Sequence, residues 1–462
     1  MRDLTPLMEP RSVAVIGASA TPPKPGYLLL KNIVDGGYPG AIYPINPRGG
    51  SILGHQAYPT IGDVPGPVDL AFVVLGREAT PDVLRACIAK GVRSALIITA
   101  GFREVGGEGD RLQREIEAIT RDSDLLVVGP NTIGMVSMPG QLVASFVPFP
   151  TWTDGPVALF AQTGLFGGAL MAEKMGQEVQ RLGIACSLAV GNKVGVDEVD
   201  YLGYARQQPR IRAVGMYLEG LRDPRAFAEA ARALNREKPI VVVKPGRQPS
   251  GARASLAHTG STPMEDARVD AALREAGVHR AEDLEDLFAC LKMLTWQPLP
   301  RGRRIAIATW TGAQGVIAMD QVDDCGLVPA AISEATRERI APHLPDWLPV
   351  LNPVDVWPAL DRGPRQVTEE TLGALLADPA NDMVLGMILA VEGADFPEVR
   401  QVFSSLRDRY PDKPLALVIF GPEPKTRWLR ELEGLQVPVF PSTRTAIRAL
   451  AVAAAQGAAA RP

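Results

Sequence analysis

The chain has 462 residues, enough for two to four domains with their own cores, and its 46% hydrophobic and 22% charged content is that of a soluble globular protein. A formal net charge of -4, with Lys+Arg 48 against Asp+Glu 52, argues against a nucleic-acid-binding protein. Four scattered cysteines, Cys87, Cys186, Cys290 and Cys325, form no CxxC pair, so neither a disulfide framework nor a metal site is expected.

The N-terminal MRDLTPLMEP has no apolar signal region, and no run of 18 clean apolar residues follows. A cytoplasmic protein with no membrane span is the expectation. Residues 12–16 (SVAVI) read as a β-branched strand leading into Gly17-Ala18-Ser19. Further strands are expected at 41–44, 69–75, 94–99 and 125–128, with helices over 80–90 and 110–120. Continuous apolar strands alternating with helices predict a parallel sheet covered on both faces, a Rossmann-like domain.

A second α/β segment begins near 155, with strands at 156–161 (PVALFA), 211–217 and 239–244 (PIVVVK). Helices are expected over 164–176, 223–235 and 266–276. Residues 296–302 (WQPLPRG) read as a linker. A third α/β segment follows, with strands at 304–308, 383–390, 413–420 and 437–441 and a helix from 443. No repeat of 20–50 residues is present.

Several strand ends carry residues suited to ligands. Gly17 and Ser19 form either a plain tight turn or a close approach to a phosphate, and the full GxGxxG fingerprint of a dinucleotide site is missing. Lys24 is either a phosphate partner or a solvated lysine. Asn46-Pro47 and Asn131 end two strands of the same sheet, where open parallel sheets bind ligands; asparagine turns would look the same. Gln162-Thr163-Gly164 joins a strand to a helix, either as a simple N-cap or as a phosphate cradle.

Of four histidines, His258 stands apart: Ala257-His258-Thr259-Gly260-Ser261 reads as a loop of small residues between strand 239–244 and helix 266–276. A histidine can attack phosphorus when one ring nitrogen is free and the other is held by a partner. Read alone, His258 is also consistent with a solvated loop histidine. Glu219, at the end of strand 211–217, is either that partner or a solvated carboxylate. Asp197 and Asp200 read as a charged helix start. There is no HExxH, GxSxG or P-loop motif, so ATP chemistry would need an atypical site or another subunit.

The motifs SVAVIGAS (12–19), YPINP (43–47), AGFREVG (100–106), GPNTIG (129–134), QTG (162–164), Gly191-Asn192, YLEG (217–220), KPGR (244–247), AHTGS (257–261) and NPVD (352–355) occur in an order that is specific as a set. On them the chain resembles the alpha subunit, or N-terminal CoA-binding portion, of ADP-forming acetyl-CoA synthetases, in the succinyl-CoA-synthetase-like superfamily. The resemblance covers nearly the whole chain. It implies an α/β protein with a Rossmann-like CoA-binding domain (1–147), a flavodoxin-like ligase domain with a phosphohistidine loop (148–297) and a second flavodoxin-like ligase-type domain (298–462).

The resemblance further implies that Gly17, Ser19, Lys24, Asn46, Pro47 and Asn131 lie near CoA. It makes His258 the phosphohistidine, Glu219 its activator, and Gln162, Thr163 and Gly164 the phosphate and acyl site. The implied reaction joins a small carboxylic acid to CoA through an acyl phosphate, with ATP/ADP and Mg2+ on a separate ATP-grasp beta subunit in an alpha2beta2 assembly. Two features depart from the family pattern. Ala257 precedes the histidine where a serine is common, and Thr262-Pro263-Met264 replaces a small Leu-Ala-Gly stretch. These departures motivate the alternative of a non-catalytic CoA- or acyl-CoA-binding regulatory protein. An oxidoreductase built on the first domain is disfavoured by the missing fingerprint.

Overall fold

The computed structural model describes residues 1–147, 153–164, 182–259, 266–390, 399–421 and 425–461. Two compact units emerge, Met1–Arg280 and Ala281–Pro462.

In the first unit, β1 (Ser12–Ile16), β2 (Ala41–Ile45), β5 (Leu70–Val73), β6 (Ser94–Ile97) and β7 (Leu126–Val128) form a parallel sheet in the order β2-β1-β5-β6-β7. A small ribbon, β3 (Ser51–Ile52) with β4 (His55–Gln56), stands beside it. The period of two along a strand explains the fully apolar β1: Val13 and Val15 join one core and Ala14 and Ile16 another. The helix Pro25–Asp35 places Leu29, Leu30 and Ile33 in the first of these cores. Helices Thr80–Lys90 and Glu108–Arg121 cover the other face through Leu84, Leu112 and Ile116.

The second sheet is built from β8 (Gly134–Ser137), β9 (Leu142–Ser145), β10 (Val157–Ala161), β11 (Ile184–Ala189), β12 (Ala213–Tyr217), β13 (Ile240–Val243) and β14 (His279–Ala281), in the order β14-β13-β12-β10-β11-β8-β9. Strands β10 to β13 run parallel, whereas β8 pairs antiparallel with β11 and β9 antiparallel with β8. Residues 134–145, which sequence patterning groups with the first domain, therefore complete the second sheet. The reason is the edge of β11: the hairpin pairs with it and adds Met135, Leu142 and Ala144 to the core shared by the two sheets. Gly134 makes the tight start possible, because a Cβ there would lie 2.0 Å from the Ala144 carbonyl oxygen.

The second unit holds β15 (Arg304–Thr309), β16 (Val328–Pro329), β17 (Val354–Asp355), β18 (Met383–Leu389), β19 (Leu415–Phe420) and β20 (Val439–Phe440), all parallel, with β17 beside β15 off the main path. As a compact unit it begins at Ala281, ahead of the domain boundary expected after residue 297. The helix Leu284–Trp296 packs along the helix Thr443–Ala459, and the Arg448 guanidinium donates to Asp286 at 2.7 Å. An almost wholly buried helix has to be assigned to the unit that covers it. No described helix is long and apolar enough to cross a membrane.

Candidate functional site

At the carboxyl edge of the first sheet, Gly17 takes φ +94 and donates its N–H to the Ile45 carbonyl. A Cβ at Gly17 would lie 2.4 Å from the Val74 oxygen, and one at Gly26 would lie 2.1 Å from the Gly17 oxygen. Glycine at both positions lets the first turn of helix Pro25–Asp35 abut the strand end. Lys24 is the exposed residue preceding that helix, and its side chain makes no cap bond. The Ser19 hydroxyl accepts the Thr21 N–H at 3.0 Å.

Asn46 ties two loops together. Its Nδ2 donates to the Ala18 carbonyl at 2.8 Å, and its Oδ1 accepts the Arg48 N–H at 2.9 Å; Pro47 beside it is exposed. Gly17, Ser19, Lys24, Asn46 and Pro47 thus gather at the ends of the adjacent strands β1 and β2. Asn131 belongs elsewhere, after β7 on the far side of the sheet. It takes φ +63, donates its N–H to Thr99 at 2.8 Å, and meets the Asn192 side chain at 3.5 Å. Turns that follow parallel strands, with glycine permitting close approach and a cation alongside, suit a phosphate-bearing ligand.

The carboxyl edge of the second sheet is more enclosed. Gln162, only 2% exposed, leaves β10, and its Oε1 accepts the N–H groups of Glu219 at 2.8 Å and Gly220 at 3.0 Å. Register explains the meeting, since Ala161 at the end of β10 lies opposite Tyr217 at the end of β12. Glu219 is 5% exposed. Thr163 and Gly164 follow on the same edge, half-buried, with Gly164 close against Ile133.

Lys244, one residue past β13 and 4% exposed, donates to the Pro245 carbonyl at 2.5 Å. Burial pushes its ammonium below the ordinary lysine value; the negative charges of Asp266 and Glu219 oppose that shift and Arg280 reinforces it. Burial and the Glu219 charge together push the Tyr217 hydroxyl up to about 12. Arg280 closes this side through Asp266 at 2.6 Å and Asp270 at 3.2 Å.

Another set reaches the same loop from β11. The Lys193 ammonium donates to the Glu198 carboxylate and to the Gly220 carbonyl, both at 2.8 Å. Glu198 also accepts the Arg222 N–H at 2.7 Å. Asp197 caps the helix Glu198–Gln207 by accepting the Val199 N–H, the charged helix start read from the sequence. Lys193, Glu198 and Arg222 were not singled out by sequence reading. The one available signal is that Lys193 follows closely on the end of a buried strand.

His258 lies in the last turn of the helix Pro249–Thr259, and its side chain lies outside the described ones. The loop expected around it is therefore helical up to Thr259. Proline in the first turn and the run ARASLA favour helix even where hydrophobic periodicity is weak. Residues 260–265, including Thr262-Pro263-Met264, and the helix expected from 164 to 176 beyond its first residue lie outside the described residues. The remaining histidines lie in other elements: His55 in β4, His279 in β14 and His343 in the turn Ala341–His343. No cluster of metal-ligating side chains occurs among the described residues.

A groove of about 1790 Å³ opens beside Gln162, Lys193 and Gly220. It extends to Arg93 and Ser123, which lie just before β6 and β7, and so reaches the amino ends of the first sheet. The glycine turn at Gly17 is not among its lining residues.

The CoA binding domain family matches residues 11–138, and the Succinyl-CoA ligase like flavodoxin domain family matches residues 154–294. The Acetate--CoA ligase [ADP-forming] I subunit alpha of Pyrococcus furiosus is 33% identical over 452 residues, covering 97% of this chain and 96% of that one. The chain belongs to the family of ADP-forming acyl-CoA synthetase alpha subunits.

Within this family, the Acetate--CoA ligase [ADP-forming] II of Archaeoglobus fulgidus is 34% identical over 397 residues. The match takes in 85% of this chain but only 58% of that longer protein. The dinucleotide forming acetyl-coenzyme A synthetase 1 of Ca. Korarchaeum cryptofilum, solved with phosphate and ADP, superposes with a TM-score of 0.90 at 30% identity, covering 99% of this chain and 98% of that one. The family architecture, a Rossmann-like CoA-binding domain followed by flavodoxin-like α/β domains, is the one described above.

Proposed function

We propose that the chain is the CoA-binding, phosphohistidine-carrying alpha subunit of an acid–thiol ligase that converts a small carboxylic acid, CoA and ATP to acyl-CoA, ADP and phosphate. The observation that carries this reading is the buried Glu219, whose backbone N–H is held by Gln162 at the edge of the sheet whose next strand, β13, leads toward the helix Pro249–Thr259 that carries His258 in its last turn. A buried carboxylate beside an imidazole can accept one ring N–H and leave the other nitrogen nucleophilic.

The steps then balance as follows. His258 attacks the γ-phosphorus of ATP held by an ATP-grasp partner, and ADP leaves. A carboxylate oxygen of the acid takes the phosphoryl group from the histidine, giving an acyl phosphate and free imidazole. The CoA thiolate attacks the acyl carbon and phosphate leaves. Thr163 and Gly164, at the start of the segment after β10, meet the phosphoryl oxygens, where backbone N–H groups stabilise developing charge. Gln162 acts through Glu219. CoA lies along the first edge, with its phosphates near Gly17, Ser19 and Lys24, one end by Asn46 and Pro47, and the other reaching across the strand ends toward Asn131. Mg2+ and the nucleotide belong to the partner, in an alpha2beta2 assembly.

The test uses the full chain with its ATP-grasp partner and labelled ATP, followed by mass spectrometry of acid-labile phosphate. Label on His258, lost in H258A and discharged by CoA with acetate, is the expected result. A folded complex that binds CoA and takes no label would instead make this a CoA-binding regulatory protein.

A further inference from the structure

Glu219 sits in a loop held from two sides. Gln162 accepts its N–H from one side; from the other, Lys193 donates to the carbonyl of the next residue, Gly220, at 2.8 Å. Glu198 then holds Lys193 at 2.8 Å, with side-chain exposures of 9% for the lysine and 0% for the glutamate. Arg222, two residues beyond Gly220, donates its N–H to the same carboxylate and its side chain to the carbonyls of Lys193 and Gly195.

A buried ion pair is poorly explained by stability, because apolar side chains of the same volume often do as well or better. What this pair supplies, and an apolar pair would not, is a fixed N–H donor at the Gly220 oxygen. The backbone beneath it is unusual as well. Lys193 takes φ +53, a left-handed conformation that costs energy for a residue with a Cβ.

The segment carrying Lys193 is also fastened to the first sheet. Asn192 N–H donates to the Pro130 carbonyl at 2.9 Å, and Val194 N–H to Gly129 at 3.0 Å. The Asn192 side chain donates to Glu104 at 2.7 Å and to Gln113 at 2.9 Å. Three consecutive residues, Asn192, Lys193 and Val194, thus join the end of β7, where Asn131 stands, to the loop of Glu219.

We propose that Lys193, held by Glu198, is a positioning residue for Glu219 and fixes that carboxylate relative to the CoA-binding sheet. The inference rests on Glu219 being the residue that activates His258. The experiment compares K193M, E198Q and E219Q in the full chain with its partner, following His258 phosphorylation from acetyl-CoA and labelled phosphate across pH, together with thermal melting. K193M is expected to lower kcat about 10- to 100-fold with KM for acetyl-CoA within about twofold, a loss confined to the reacting geometry. Melting should fall, because Glu198 is left buried without its cation, so kcat is read well below the midpoint; the pH profile should be displaced. E198Q is expected to move kcat the same way by less, and it decides the matter on the same criterion if K193M fails to fold. A folded K193M with wild-type kcat and pH profile, alongside a slow E219Q, overturns the role of Lys193 alone. Wild-type phosphorylation in E219Q overturns the assignment of Glu219 itself.

Discussion

At the ends of β1 and β2 in the first sheet, Lys24 and Pro47 are exposed, and Asn46 ties the two loops together. Along the corresponding edge of the second sheet, Gln162, Glu219 and Lys244 are all buried, and the turn of Glu219 and Gly220 is held by side chains that follow two other strands. The same strand-and-turn grammar therefore yields an open edge and a closed one. An open edge suits a large ligand that must come and go. A closed edge holds a few polar atoms in one geometry, as reacting groups require.

Substitutions at the closed edge should consequently cost stability, and those at the open edge should not. The largest effect is expected at Gly191, where φ is +52 and a Cβ would lie 2.0 Å from the Pro130 oxygen. Gly191→Ala should destabilise the full chain by about 4 kcal/mol, seen as a lower urea midpoint. A wild-type midpoint would mean that the two sheets are not docked tightly there. Next comes Gln162→Ala, which strands two buried N–H groups and should cost about 2–4 kcal/mol by the same measurement, with Gln162→Glu recovering part of the loss.

A smaller, pH-dependent effect is expected at Asp266. Hydrogen bonds from Arg280 hold its carboxyl below the usual carboxylate range, with side-chain exposures of 27% for Asp266 and 17% for Arg280. Because the folded value is the lower one, the stabilisation is present above the ordinary carboxylate range and disappears as pH falls through the folded value. Asp266→Asn should cost about 1 kcal/mol at neutral pH and nothing in strong acid, by melting across a pH series. At the open edge, Lys24→Ala should leave stability within about 0.5 kcal/mol while weakening CoA binding about fivefold, an effect shrinking with salt in titration calorimetry. A large stability loss at Lys24 would erase the contrast between the two edges.

Strands β1, β10, β12 and β13 were legible because each is a short apolar run that stops at a turn residue. The hairpin β8–β9 was not, since four-residue strands such as GMVS and LVAS carry too little pattern to show which sheet they join. The helix Pro249–Thr259 escaped for a related reason, since small residues leave no apolar stripe and the segment read as a loop around His258. Glu219 and Gln162 were legible as strand-end residues. Lys193 and Glu198 were not, because a lysine followed five residues later by a glutamate looks like solvated surface charge until the fold buries both.

By itself, the sequence determined the α/β class, the family motifs and which residues end the strands. Those follow from local periodicity and turn chemistry, which act over a few neighbouring residues. The tertiary structure alone decided that β10 lies beside β12, so that Gln162 holds Glu219, and that the turn after β11 packs on the end of β7. It also decided that the helix Leu284–Trp296 belongs to the second unit. Such pairings depend on sheet order and on which apolar faces find one another across dozens of residues, and no local pattern encodes them.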